Sequence, residues 1–171
     1  TTWIIAHAMA SYASDKRSVK LIAMEDVEGW HTHASKIFPS KRFPFVQICH
    51  SPATWYRVGF ITGTVYQEVP DFPYELVFVD GPFHGGACNM DFIRLLRQRP
   101  GHKARAIIDK RLPTIRAYGT LLGRQHVRYN AVTKLGFVSS VSSSNMLVNE
   151  ENLVPMSVLD TDVRLDLHPA F

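Results

Sequence analysis

The chain has 171 residues, enough for one ordinary domain with a sizeable core. At 46% hydrophobic and 20% charged it has a globular balance, and its longest apolar runs are far too short to span a membrane. The net charge of +4 is spread along the chain, apart from short groups at Arg94, Arg97 and Arg99 and at His102, Lys103 and Arg105. A nucleic-acid groove needs a clustered basic signal with interleaved aromatics, so neither nucleic acid nor membrane is expected as a partner. Two cysteines, Cys49 and Cys88, make no disulfide framework, and with no secretory signal visible the default location is a reducing cytoplasm.

A helix-like apolar pattern begins at once, without an initiator Met or a polar lead-in, which predicts that something precedes Thr1. Residues 2–13, rich in Ala, Ile, Met and Trp, read as a largely buried helix, followed by a polar turn at Asp15, Lys16 and Arg17. Residues 19–24 read as a strand ending at Glu25. Asp26 is expected to cap the next helix, with Glu28 in its first turn. Val27, Trp30, Ala34 and Ile37 fall on one face of that helix, with Trp30 in the core, and Phe38-Pro39 ends it. Residues 45–49 form a further strand, leading into His50-Ser51-Pro52-Ala53. The segment 55–72 contains a short β-like run but is expected to be a helix or loop packed over the sheet.

Residues 74–86 carry the strongest local signal. Four apolar residues, Leu76 to Val79, suit a strand covered on both faces, and Asp80-Gly81-Pro82 stops it. His84 and the pair Gly85-Gly86 follow. Residues 89–99 alternate Phe92, Ile93, Leu95 and Leu96 with Arg, an amphipathic helix with Asp91 in a structural role in its first turn; Pro100-Gly101 closes it. Residues 104–108 read as a strand ending at Asp109, and residues 113–122 as a helix with Pro113 near its start. Residues 125–148 hold β-like segments around Gly136 and a serine-rich turn at 139–144, a terminal antiparallel pair. Residues 150–171 read as a tail. The alternation predicts an α/β, Rossmann-like domain over residues 1–149: a mostly parallel sheet with helices on both faces and a C-terminal antiparallel strand pair.

Three strands thus end in acids at one topological edge: Glu25, Asp80 and Asp109. Ligands of open α/β sheets bind at the carboxyl ends of the strands, and an acid closing the second strand can accept from both ribose hydroxyls of an adenosine. The alternative for Glu25 is that it merely opens the next helix, where acids are favoured. His31 and His33 are two apart on a helix, do not share a face, and make no metal pair. Cys49 and Cys88 read as small buried hydrophobes.

Leu21-Ile22-Ala23-Met24-Glu25 with Val27-Glu28-Gly29-Trp30 resembles the strand-acid-helix unit of class I S-adenosylmethionine-dependent methyltransferases. Tyr74 to Pro82 resembles the fourth strand of that family with its terminal acid. The resemblance covers residues 1–149 and implies that the first strand and the Gly-rich cofactor loop lie upstream of Thr1. It implies that Glu25 holds the ribose of S-adenosylmethionine and that Ser51-Pro52-Ala53 approaches the adenine, without the acid many relatives carry there. It implies that Asp80 lies near the methionine end of the cofactor and the small-molecule methyl acceptor. His84 then stands as general base toward a hydroxyl or amine, against the plainer alternative of a loop histidine. A weaker alternative is a divalent metal. Asp80 and Asp109 end adjacent strands, as the ligands do in catechol-type O-methyltransferases, and two carboxylates plus waters suit Mg²⁺. Lys110 stands where those relatives supply a neutral amide, and its ammonium opposes a cation, so a metal is not expected. Two rival functions remain: a nicotinamide-dependent oxidoreductase, which needs a G-x-G-x-x-G upstream and a substrate domain, and a non-catalytic Rossmann-like binding module.

Overall fold

A computed structural model describes residues 1–12, 19–82 and 87–147. His84, Gly85 and Gly86, the turn at residues 15–17 and the tail from residue 150 lie outside them. The fold is mixed α/β and includes parallel strand pairs. The expected single, mostly parallel sheet is not what the described residues show: their strands form three sheets, and in the four-stranded one two of the three pairings are antiparallel. Among the described residues no helix is long and apolar enough to cross a membrane. The chain forms two compact units, residues 1–54 with 66–72, and residues 55–65 with 73 onward.

The first unit holds helix α1 (Thr2–Tyr12), strand β1 (Leu21–Glu25), helix α2 (Glu28–Ile37) and strand β2 (Val46–His50). β1 and β2 pair in parallel, from Leu21 opposite Val46 to Glu25 opposite His50. Phe43 is its main large buried anchor, ringed by His7, Phe38 and Phe45 at centroid distances of 4.8, 5.8 and 6.1 Å. Three expectations fail in this unit. α1 buries only Ala6, leaving Trp3, Ile4 and Tyr12 exposed, and Trp30 is 65% exposed instead of in the core. Helical periodicity decides which residues share a face; it does not supply the surface that covers them. Asp26 does not cap α2 either: the capping position is Val27, with no side-chain bond to the helix.

Strand β3 (Ala53–Val58) and strand β4 (Ile61–Tyr66) form a sheet with the short strand β6 (Cys88–Asn89), in the order β3-β4-β6. The segment 55–72 is therefore largely strand, not the expected helix or loop. Its Thr, Val, Ile, Tyr and Trp favour extended backbone, and Gly59 supplies the left-handed residue (φ 57°) of a two-residue connection.

The remaining elements of the second unit are strand β5 (Leu76–Val79), helix α3 (Asp91–Gln98), strand β7 (Ala104–Asp109), helix α4 (Leu112–Leu122), strand β8 (Val127–Asn130) and strand β9 (Leu135–Val141). They build a sheet of order β5-β7-β9-β8, with β5 and β7 parallel and β7, β9 and β8 antiparallel in turn. The expected C-terminal antiparallel pair is thus present, although Ser139 and Ser140 belong to β9 and only the later serines form a turn. Ala104, Ala106 and Ile108 point from β7 into the core with period two. They meet Phe92, Ile93 and Leu96 of α3 and Tyr118, Leu121 and Leu122 of α4 in one apolar cluster. Among the described residues β5 lies at the edge of its sheet: Val79 is buried but Leu76 is exposed, so it is not covered throughout on both faces as its apolar run suggested.

Candidate functional site

The parallel register of β5 and β7 ends with Val79 opposite Ile108. The next residues, Asp80 and Asp109, therefore stand side by side at the C-terminal edge of this pair, where α/β sheets place their ligands. Asp80 is exposed and Asp109 half-buried. Lys110 follows with a left-handed backbone (φ 53°), and its N–H donates to the carbonyl of Lys134, itself left-handed (φ 59°), at 3.1 Å. Two non-glycine residues in this region cost on the order of 1 kcal/mol each. Their pairing holds the exits of β7 and the entry of β9 together, and it sets two cationic residues on a rim that also carries two acids.

A buried polar network reaches the carbonyl of Gly81, the residue after Asp80. The Asn89 side-chain N–H donates to the Gly81 carbonyl and, at 2.8 Å, to Asp91 Oδ2. Its Oδ1 accepts from the Asp91 backbone N–H at 2.9 Å and from the Tyr118 hydroxyl at 3.2 Å. The Asn89 backbone N–H donates to Thr114 Oγ1 at 2.9 Å. Asp91, in the first turn of α3 as the sequence suggests, also binds Arg94 at 3.0 Å. Burial, with the Asp91 charge beside it, pushes the Tyr118 phenol well above the usual tyrosine range. Sequence reasoning did not find Asn89, Thr114 or Tyr118; the one available signal was a polar Asn between Cys88 and Met90 at the start of an apolar stretch.

In the first unit Glu25 closes β1 and is half-buried, with His50 as its strand partner. The Ser51 N–H donates to the Glu25 carbonyl at 3.0 Å. Ser51 is buried, and its Oγ accepts the Glu68 N–H at 2.8 Å, while the Pro52 carbonyl accepts the Gln67 N–H at 2.7 Å. The Tyr66 hydroxyl donates to the Met24 carbonyl at 3.0 Å. The segment after β2 is thus stapled to residues 67–68, so Ser51 has a structural task, and Ala53 is half-buried at the start of β3. The His31 and His50 rings lie 5.7 Å apart, and Ser35 Oγ is 3.4 Å from His31 Nε2.

Of the predicted site residues, Asp80 and Asp109 come together on one edge of the second unit, and Glu25, Ser51 and Ala53 belong to the first; His84 lies outside the described residues. Burial raises the thiols of both Cys49 and Cys88 above their ordinary value, which favours the protonated form. Among the described residues no three His, Cys, Asp or Glu side chains gather as a metal site would need. Comparison with protein-family models, curated proteins and solved structures gives no match for this chain.

Proposed function

We propose that the chain belongs to a cytoplasmic class I S-adenosylmethionine-dependent methyltransferase that acts on an oxygen or nitrogen of a small-molecule acceptor. The observation that carries this is the pairing of acid-tipped parallel strands. β1 ends at Glu25 beside β2, and β5 runs into Asp80 beside β7, with antiparallel β9 and β8 completing the second sheet. A Rossmann-like domain of this kind carries a further parallel strand with a Gly-rich loop. Among the described residues β1 pairs with β2 alone and β5 with β7 alone. Free thiols at Cys49 and Cys88 suit a reducing compartment.

The donor set fits the cofactor in part. The Glu25 carboxylate, at a strand's carboxyl end, is the acceptor that a ribose diol needs. Ser51 fits less well through its side chain, whose oxygen already takes the Glu68 N–H, so Pro52 and Ala53 would supply the adenine's surroundings. Asp80, exposed at the rim, would face the cationic end of the cofactor. When bound, S-adenosylmethionine supplies a methyl group on a positively charged sulfur. The chain's own task is to align the acceptor with that methyl and to remove the acceptor's proton, a role that falls to His84 Nε2 or Nδ1, four residues after Asp80 in sequence. Lys110, next to Asp109, disfavours a divalent cation at this rim, and no step is assigned to a metal.

Calorimetry of the full-length protein with S-adenosylmethionine and S-adenosylhomocysteine tests the assignment. Both are expected to bind. Binding by neither sinks it and leaves the non-catalytic module, which also predicts that Asp80→Asn and His84→Ala leave function intact.

A further inference from the structure

Asn89 lies outside the set of acids, yet every polar group of its side chain is engaged. A primary amide has two N–H donors and two acceptor sites. At Asn89, which is 1% exposed, both donors are engaged by Gly81 and Asp91, and both acceptor sites by the Asp91 N–H and the Tyr118 hydroxyl. The orientation of the amide is therefore fixed: exchanging its O and N would set donor against donor at the Asp91 N–H. The isosteric carboxylate would set acceptors against both the Gly81 carbonyl and the Asp91 carboxylate. The Asn89 backbone is held too, by Thr114 of α4 and by the register of β6 with β4. The amide thus joins three rigid elements, β6, α3 and α4, to one carbonyl in the turn that follows β5. That carbonyl belongs to Gly81, the residue after Asp80.

We propose that Asn89 is a positioning residue: it fixes the Asp80-Gly81-Pro82 turn through the Gly81 carbonyl and, resting on the methyltransferase assignment above, thereby sets Asp80 for the cofactor. Among the described residues β5 pairs with β7, and Asn89 holds the turn that follows β5 through the Gly81 carbonyl. Asn89 touches no ligand and acts only through the turn.

The test uses Asn89→Ser, whose hydroxyl can still accept the Asp91 N–H two residues on but cannot reach Gly81. Amide hydrogen exchange is expected to rise about tenfold at residues 79–81 while β7 and β9 stay protected. Affinity for S-adenosylhomocysteine is expected to fall about tenfold. Asp80→Ala is expected to weaken binding as well, and the Asp80→Ala, Asn89→Ser double variant to bind no worse than Asp80→Ala alone, since Asn89 acts through Asp80. A purely structural role would make the two losses add and would spread the exchange over the whole sheet, and either result overturns the proposal. Exchange that rises at residues 79–81 in a protein that binds neither cofactor form upholds the positioning of the turn and refutes the methyltransferase assignment. If Asn89→Ser fails to fold, the wild-type protein decides: its Asn89 side-chain amide protons are expected to exchange at least about a hundredfold more slowly than a free amide, and rapid exchange overturns the proposal.

Discussion

Gly63→Ala is predicted to damage the second unit more than its single added methyl suggests. Gly63 pairs with Cys88 where β4 meets β6, and a Cβ there would lie 2.2 Å from the Cys88 carbonyl oxygen and 2.7 Å from both Cys88 Sγ and Met90 Cγ. The first of these is backbone, which cannot swing aside, so β4 and β6 must separate by more than an ångström to reach ordinary contact. Overpacking of this kind costs about 1–3 kcal/mol. Separation also threatens the Met90 N–H bond to the Thr64 carbonyl at 2.8 Å, worth about 1 kcal/mol. A total of about 3 kcal/mol lowers the melting temperature of a domain this size by about 6–12 °C. Thermal unfolding followed by circular dichroism measures it. Gly119→Ala is the control, because nothing lies within 4 Å of a Cβ at that position in α4 and alanine there should stabilise by about 0.5–1 kcal/mol. A Gly63→Ala protein that melts within about 2 °C of wild type refutes the steric reasoning.

Tyr118→Phe removes a buried hydroxyl from Asn89 and should cost about 1–2 kcal/mol at neutral pH. The wild-type phenol is held neutral by burial and by Asp91, so its folded pKa lies above its unfolded one. The stability this gives is complete below the unfolded value of about 10 and is lost as pH rises from there toward the folded value. The stability gap between wild type and Tyr118→Phe should therefore narrow from pH 9 to 11 in urea titrations; a constant gap contradicts the account. Asp91→Ala leaves the Arg94 guanidinium without the carboxylate that sits 3.0 Å away and should cost about 3–5 kcal/mol by denaturant unfolding. Adding Arg94→Met should recover a large part of that loss, and no recovery would show that the pair is not the source.

The strands that end in acids were legible because each combines an apolar run with a polar stop, which is a local property. Glu25 and Asp109 close their strands as expected, and Asp80 follows β5 directly. The hairpin of β3 and β4 was not legible: Arg57, Gly59, Thr62 and Gly63 interrupt the apolar alternation, and its extended state is set by pairing across the turn and with β6. Trp30 shows the same limit in a helix, since its place on the apolar face says nothing of whether that face is covered. The Asn89 network joins residues up to 29 positions apart, and no short window contains it. The left-handed Lys110 was likewise invisible, because lysine gives no local sign of a conformation imposed by its bond to Lys134.

Titration of the full-length wild-type protein and its Glu25→Ala variant with S-adenosylhomocysteine tests the central claim most directly. Removing a carboxylate that accepts from a ribose diol should weaken binding about 10- to 100-fold while leaving the fold intact by circular dichroism. Equal affinity of the two proteins, or no binding by the wild type, contradicts the assignment.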